Sequence, residues 1–368
     1  MNKRVLFVCC DSDTAYSFRR ELIAFLKSKD CVVDIVCGDD DRKEEIMQFG
    51  ITNYYNFHFT SRNKNPFQLL RIVRNIKDVI KETNPDCVLS FFAKANVAAS
   101  KAMKKLHRNE FYPFVEGLGS TFKNKTLKQK LLKLLMSNMY KNCFKVAKKV
   151  VLLNSDDKKY LIDSYILKED KAFVIPGIGI NCDAYVPTKF ISPSKDVLMI
   201  SRLLFDKGIL DYCKIARRVH SVRKDINFYL YGKEAELTIN DLKDYISDGS
   251  IIYGGFTKDI ENKINISRIV CLPSSYGEGY PRSIMEAMCL KRVVIGYDNV
   301  GTRDAIQDGE TGYLIEKGNV EAFAQKILEI IDNDNLLEEI GNNARQYCFS
   351  TIDSGIINGT IYKLIFNL

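Results

Sequence analysis

Ser275-Tyr276-Gly277-Glu278-Gly279-Tyr280-Pro281-Arg282-Ser283-Ile284-Met285-Glu286 (residues 275–286) places two glutamates eight positions apart across a turn that opens a helix. Gly277 and Gly279 allow close approach of the backbone to a ligand, and Pro281 is pre-set for the start of the helix Arg282–Met288. The free N–H groups and positive dipole end of such a helix favour a phosphate. Two cations are placed to converge on it. Arg202 and Lys207 follow the strand-like run Val197–Ile200 and precede Gly208 and an amphipathic helix, so they belong to a strand-to-helix loop at a sheet's carboxyl edge.

The same alternation of short apolar runs and helical patterns extends in both directions and predicts parallel sheets. Strands are expected at Val5–Cys9, Val32–Val36, Tyr54–Phe57, Cys87–Phe91, Tyr112–Val115, Val150–Leu153 and Phe173–Ile175. A second series follows at Val197–Ile200, Asn227–Tyr231, Ile251–Tyr253, Ile269–Leu272 and Val293–Ile295. A Pro- and Ser-containing stretch over residues 181–194 reads as the linker between two doubly wound lobes. Ligands of open α/β sheets bind beyond the strands' carboxyl ends, so two such lobes facing each other would form a cleft with a donor wall and an acceptor wall.

Several segments beyond the turn carry a family resemblance. They are Ser201–Gly208, Leu272–Pro281, Glu286–Met288, Val300–Ile306 and Asp308–Ile315. Together they resemble the retaining glycosyltransferases of family 4, which have the GT-B fold. In the first half, Val115-Glu116-Gly117-Leu118-Gly119-Ser120 and the basic stretch after it look like the bacterial subgroup that extends polyprenyl-diphosphate-linked sugars, N-acetylgalactosaminyltransferases among them. The resemblance implies two Rossmann-like domains, residues 1–188 with a C-terminal crossover helix at about 352–368, and residues 189–351. It also implies transfer of a hexose or N-acetylhexosamine from a UDP-sugar to a lipid-linked saccharide in surface-polysaccharide assembly, with retention of configuration and with no metal or other cofactor.

Roles follow for individual residues. Arg202 and Lys207 hold the diphosphate and stabilise the leaving group, Glu278 takes a donor-sugar hydroxyl aided by the backbone of Gly279 and Tyr280, and Glu286 accepts from the two ribose hydroxyls. On the acceptor side, Glu116, Gly117 and Gly119 follow a strand, and Glu116 is placed to meet either an acceptor hydroxyl or the counter-charge of the sugar phosphate. The glycines many relatives have after the first strand are missing from Cys10–Thr14, and the histidine after the fourth strand is missing too. Phe91–Asn96 offers only Lys94 and Asn96 as polar groups there.

Charge is distributed unevenly. Residues 1–190 carry 33 Lys and Arg against 21 Asp and Glu, and residues 191–368 carry 21 against 25, balances of +12 and −4. Between Gly117 and Ser155 there is no acidic residue and there are nine lysines, among them Lys123, Lys125, Lys128, Lys130 and Lys133. Leu127, Leu131, Leu134, Leu135 and Met139 recur between them at helical spacing. That pattern fits either a basic helix lying on an anionic leaflet or a helix burying its leucines in the lobe. The one-sided charge favours the leaflet, and with it a peripheral place on the cytoplasmic face of an inner membrane. No run of about 18 apolar residues exists to span one.

Eleven cysteines without a Cys-x-x-Cys, and three scattered histidines (His58, His107 and His220), point to buried thiols and to structural or surface imidazoles rather than a disulfide framework or metal site. Asp11-Ser12-Asp13 matches a metal-binding Asp-x-Asp only formally, because it trails the first strand, where helix N-caps are common. Two other functions fit parts of the pattern: a sugar-nucleotide epimerase of the same fold, which needs no acceptor, and a nucleic-acid binder using the basic lobe. The second lacks aromatic residues interleaved with the lysines and leaves the phosphate turn unexplained.

Overall fold

Strands buried on both faces have to be apolar along their whole length, and the central runs are: every residue of Val5–Val8 and Cys87–Phe91 is buried. A computed structural model describes residues 2–57, 66–122, 127–188 and 195–368, and its contacts divide the chain into two units, Met1–Gly179 with Ser354–Leu368, and Ile180–Asp353.

Among the described residues the first unit has seven parallel strands, β1 (Arg4–Val8), β2 (Val32–Cys37), β3 (Asn53–Asn56), β4 (Cys87–Phe91), β5 (Phe111–Val115), β6 (Val150–Leu152) and β7 (Ala172–Val174). Their order is β3-β2-β1-β4-β5-β6-β7. The described residues of the second unit form six: β8 (Asp196–Ile200), β9 (Asn227–Tyr231), β10 (Ile252–Tyr253), β11 (Ile269–Leu272), β12 (Val293–Tyr297) and β13 (Tyr313–Ile315). They are ordered β10-β9-β8-β11-β12-β13. Both units are therefore Rossmann-like. In each, the direction of winding reverses once, between β1 and β4 and between β8 and β11, and the loops leaving those strands flank a crevice at the carboxyl edge.

Covering helices seal the cores: Ile76, Ala98 and Phe144 pack on the first sheet, and Ile209, Tyr212 and Phe323 on the second. The last helix, Ser354–Phe366, belongs to the first unit. It buries Ile357, Ile361 and Ile365 and packs on the helix Ser12–Ser28, while the Tyr112 hydroxyl donates to Ile365 O at 3.2 Å.

The basic helix runs from Leu127 to Val146, and its inward face is not the leucine stripe. Tyr140, Cys143 and Phe144 enter the core, whereas Leu127, Leu131, Leu134 and Leu135 are 84, 69, 69 and 56% exposed. The alternative in which these leucines pack into the lobe does not hold, because larger apolar groups one turn further on take that place. No helix among the described residues is long and apolar enough to cross a membrane. All eleven cysteines are buried and free. Of the histidines, His220 bonds Ile226 O at 2.7 Å and has a structural role, while His58 lies outside the described residues.

Candidate functional site

Three loops meet at the carboxyl edge of the second sheet. After β8 the chain makes a tight turn at Phe205–Lys207 and enters the helix Ile209–His220 through Gly208, whose φ is +79°. A Cβ on Gly208 would lie 1.8 Å from Pro273 O, so only glycine lets this loop press against the loop after β11. Ser275 N then donates to Asp206 O at 2.8 Å. The loop after β12 joins them: Asn299 Nδ2 donates to Ser274 O at 3.1 Å and to Tyr276 O at 2.7 Å. Gly301, at φ +76°, packs where a Cβ would sit 2.5 Å from Glu278 O.

This convergence brings Lys207 and Glu278 together across the switch point. Lys207 Nζ is 2.5 Å from Glu278 Oε1, the same oxygen accepts from Ser274 Oγ at 3.1 Å, and the ammonium stands 5.0 Å from the centre of the Tyr276 ring. Both side chains are largely buried, 18 and 10% exposed. Burial, then the charge of Glu278, pushes the Tyr276 phenol up, and the Arg202 guanidinium pulls it the other way. Arg202 thus acts on the same ring from an exposed position. Glu286 is buried one turn inside the helix Arg282–Cys289, where Tyr185 and Arg282 bond to its Oε1. The Tyr280 ring points inward, its hydroxyl donating to Asp304 O at 3.3 Å, so only its backbone is available to a ligand.

In the first unit Glu116 is occupied. Its carboxylate is paired with the Arg19 guanidinium, both side chains are under a tenth exposed, and Arg19 also covers the Phe91 ring at 3.9 Å. Burial raises the Glu116 carboxyl above its ordinary value, and Arg19 opposes that. An acceptor hydroxyl would therefore have to compete with Arg19 for this carboxylate. Gly117 and Gly119 take positive φ, +107° and +60°, in the turn that follows. Asn96 is structural, accepting from Ser90 Oγ at 2.6 Å and donating to Phe114 O at 2.8 Å, while Lys94 is half-buried and its ammonium is lowered by desolvation. Asp11 caps the helix Ser12–Ser28 through Thr14 N at 2.8 Å, as the position after a first strand suggests. Among the described residues no group of three or more His, Cys, Asp or Glu is arranged to hold a metal. Lys123, Lys125 and the Lys128 side chain lie outside the described residues; Lys130 is exposed and Lys133 reaches to 5.1 Å from the centre of the Tyr160 ring.

Comparison with known proteins gives both halves the same assignment. Residues 187–347 match the family described as glycosyl transferases group 1, and residues 4–154 match glycosyl transferase 4-like domains. The chain belongs to the glycosyltransferases of the GT-B fold. This glycosyltransferase is 26% identical, over 98% of both chains, to the N,N'-diacetylbacillosaminyl-diphospho-undecaprenol alpha-1,3-N-acetylgalactosaminyltransferase of Campylobacter jejuni. A glycosyltransferase from Rickettsia africae shares its fold with a TM-score of 0.81 at 24% identity over 99% of each chain. Anabaena HepE, crystallised with UDP-glucose, does so with a TM-score of 0.77 at 18% identity over 99% of this chain and 100% of that one.

Four further residues brace these loops and carboxylates without any local signal in the sequence. Ser274 and Asn299 set the loop that carries Glu278, and each is visible only as a polar residue after a strand. Arg19 and Tyr185 lie 97 and 101 positions from the carboxylates they touch, and no spacing rule reaches across that distance.

Proposed function

We propose that this glycosyltransferase moves a hexose or N-acetylhexosamine from a UDP-sugar to a polyprenyl-diphosphate-linked saccharide, retaining configuration and needing no metal, in the assembly of a bacterial surface polysaccharide. The observation that carries the reading is the Lys207–Glu278 pair at the β8/β11 switch point. A diphosphate entering there offers Lys207 a stronger anion than Glu278, with Arg202 as a second cation. At ~4 Å and an effective dielectric near 20, each such charge contact amounts to roughly 4 kcal/mol before desolvation is subtracted. Glu278, released from Lys207, then accepts from a hydroxyl of the donor sugar. The bond from the anomeric carbon to the diphosphate breaks as the acceptor oxygen bonds that carbon on the same face. The acceptor's proton passes to the departing phosphate oxygen, whose growing charge the two cations stabilise. No enzyme carboxylate has to act as nucleophile.

Similarity supports the choice of substrates: the Campylobacter relative is named for N-acetylgalactosamine transfer to an undecaprenol-diphosphate sugar, and HepE holds UDP-glucose. The test offers purified protein a panel of UDP-hexoses and UDP-N-acetylhexosamines with a polyprenyl-diphosphate-linked saccharide, with and without EDTA. One donor should label the lipid in α-linkage, at a rate that EDTA changes less than about twofold. A UDP-sugar epimerised or consumed with no labelled lipid would overturn the reading.

The exposed leucines and lysines of the helix Leu127–Val146 support a place on an anionic leaflet at the cytoplasmic face of the inner membrane. Inserting a leucine contributes about 1.5–3 kcal/mol and each nearby lysine about 1 kcal/mol. The protein should co-sediment with phosphatidylglycerol vesicles at low salt, and Leu131→Ser with Leu134→Ser should weaken that binding at least about tenfold. Equal recovery of the wild type with neutral and anionic vesicles would rule the surface out.

A further inference from the structure

Glu286 is gripped on one oxygen only. Its Oε1 accepts from the Tyr185 hydroxyl at 3.1 Å and from Arg282 Nε at 2.9 Å, and Tyr185 and Arg282 also bond to each other. Among the described residues none is seen to donate to Oε2, and the Glu286 side chain is 10% exposed. Tyr185 reaches this place on a strap, residues 181–188, fastened along the second unit. Its carbonyl accepts from Arg345 at 2.9 Å, Val186 O from Asn265 Nδ2 at 3.1 Å, and Thr188 O from the buried Arg292 at 2.7 Å. So firm a mounting fixes the hydroxyl in space.

The protonation states suit a lock. Burial first, then the charge of Glu286, holds the Tyr185 phenol well above its ordinary value, so it stays a donor. Desolvation works against the Arg282 cation, but the Glu286 carboxylate and Tyr185 outweigh it and the guanidinium stays charged. The terminal torsion of a glutamate is soft, and a carboxylate free to turn would have to be ordered by its ligand. With Oε1 taken, that ordering is done in advance. Oε2 keeps two lone pairs, enough for two adjacent hydroxyl donors.

We propose that Tyr185 and Arg282 are positioning residues for nucleotide recognition: by occupying Oε1 they hold Oε2 of Glu286 toward the ribose diol and make the site prefer ribonucleotides to 2'-deoxyribonucleotides. The inference rests on Glu286 as the ribose partner. A diol lacking its 2'-hydroxyl leaves one fixed acceptor lone pair unused, and that loss is larger when the acceptor cannot turn away.

Calorimetric titration of the full chain with UDP and 2'-deoxy-UDP tests it. The wild type should prefer UDP, Glu286→Gln should lose most of the preference, and Tyr185→Phe should lower the UDP to 2'-deoxy-UDP affinity ratio about fivefold, the worth of one hydrogen bond. Arg282→Lys should lower the ratio in the same direction, and serves alone if Tyr185→Phe fails to fold. A ratio unchanged by both substitutions, with Glu286→Gln still reducing it, would overturn the lock and leave the donor site standing. A ratio that Glu286→Gln also leaves unchanged would remove the ribose assignment, and the lock with it.

Discussion

Lys207→Ala should lower transfer about a hundredfold, the scale seen when one preorganised partner of a developing negative charge is removed. The loss should appear equally in kcat and kcat/KM if the ammonium's contact strengthens as the diphosphate leaves, and mainly in KM if it only holds the ground state. The fold should survive. Glu278 loses its charge partner, but it keeps Ser274 Oγ and some contact with water. A penalty of about 1–2 kcal/mol follows, and a fall of a few degrees in Tm for a unit of this size. Lys207→Arg, which keeps the charge but not the compact ammonium over Tyr276, should recover part of the rate. Turnover within about threefold of wild type in Lys207→Ala would take the residue out of the mechanism.

Arg19→Met should destabilise the protein by about 3–5 kcal/mol at neutral pH, the cost of stranding a buried charge. The partner left behind is Glu116, and both side chains are almost fully enclosed. The pH dependence has a definite sign. Burial already raises the Glu116 carboxyl in the folded state, and removing Arg19 takes away the influence that opposes it. Below the ordinary glutamate value, near 4.3, the group is protonated folded and unfolded alike, and its contribution is fully present. As pH rises through the elevated folded value, the unfolded chain ionises freely while the folded one must ionise against burial, and stability is lost. The gap between Arg19→Met and wild type in urea unfolding should therefore narrow from pH 7 to pH 5. Adding Glu116→Leu should close much of it. A gap below about 1 kcal/mol, or one that does not change with pH, would mean that the pair does not fasten the loop after β5 to the helix Ser12–Ser28.

Much of the fold is written in local periodicity. Buried parallel strands such as Cys87–Phe91 and Ile269–Leu272 are continuous apolar runs between helices of 3.6-residue spacing, and both signals are short-range. Tyr313–Ile315 escapes such a reading because it is a half-buried edge strand set between polar, glycine-bearing stretches at 308–312 and 316–318. The last helix is legible as a helix, but Ile357, Ile361 and Ile365 do not say which unit they will cover; only the family resemblance supplied that. The donor-side residues lie in or just beyond loops that follow strands, where the fold itself gathers them, so Lys207 and Glu278 can be assigned to one site across 71 positions, although their direct pairing is seen only in the structure. Glu116 misleads for the opposite reason. Its position after β5 suggests a free carboxylate at the edge, and nothing local announces that Arg19, two turns into the first long helix, folds back onto it. The leucines of the helix Leu127–Val146 show the same limit, since a broad apolar stripe does not reveal which of its sides the larger residues will claim.

A crystal of the protein soaked with UDP tests the central claim most directly. The account predicts the diphosphate within hydrogen-bonding reach of Lys207 and Arg202, with Glu278 turned away from the ammonium and the ribose hydroxyls on Oε2 of Glu286. Uridine diphosphate bound anywhere else, with the Lys207–Glu278 pair undisturbed, would contradict it.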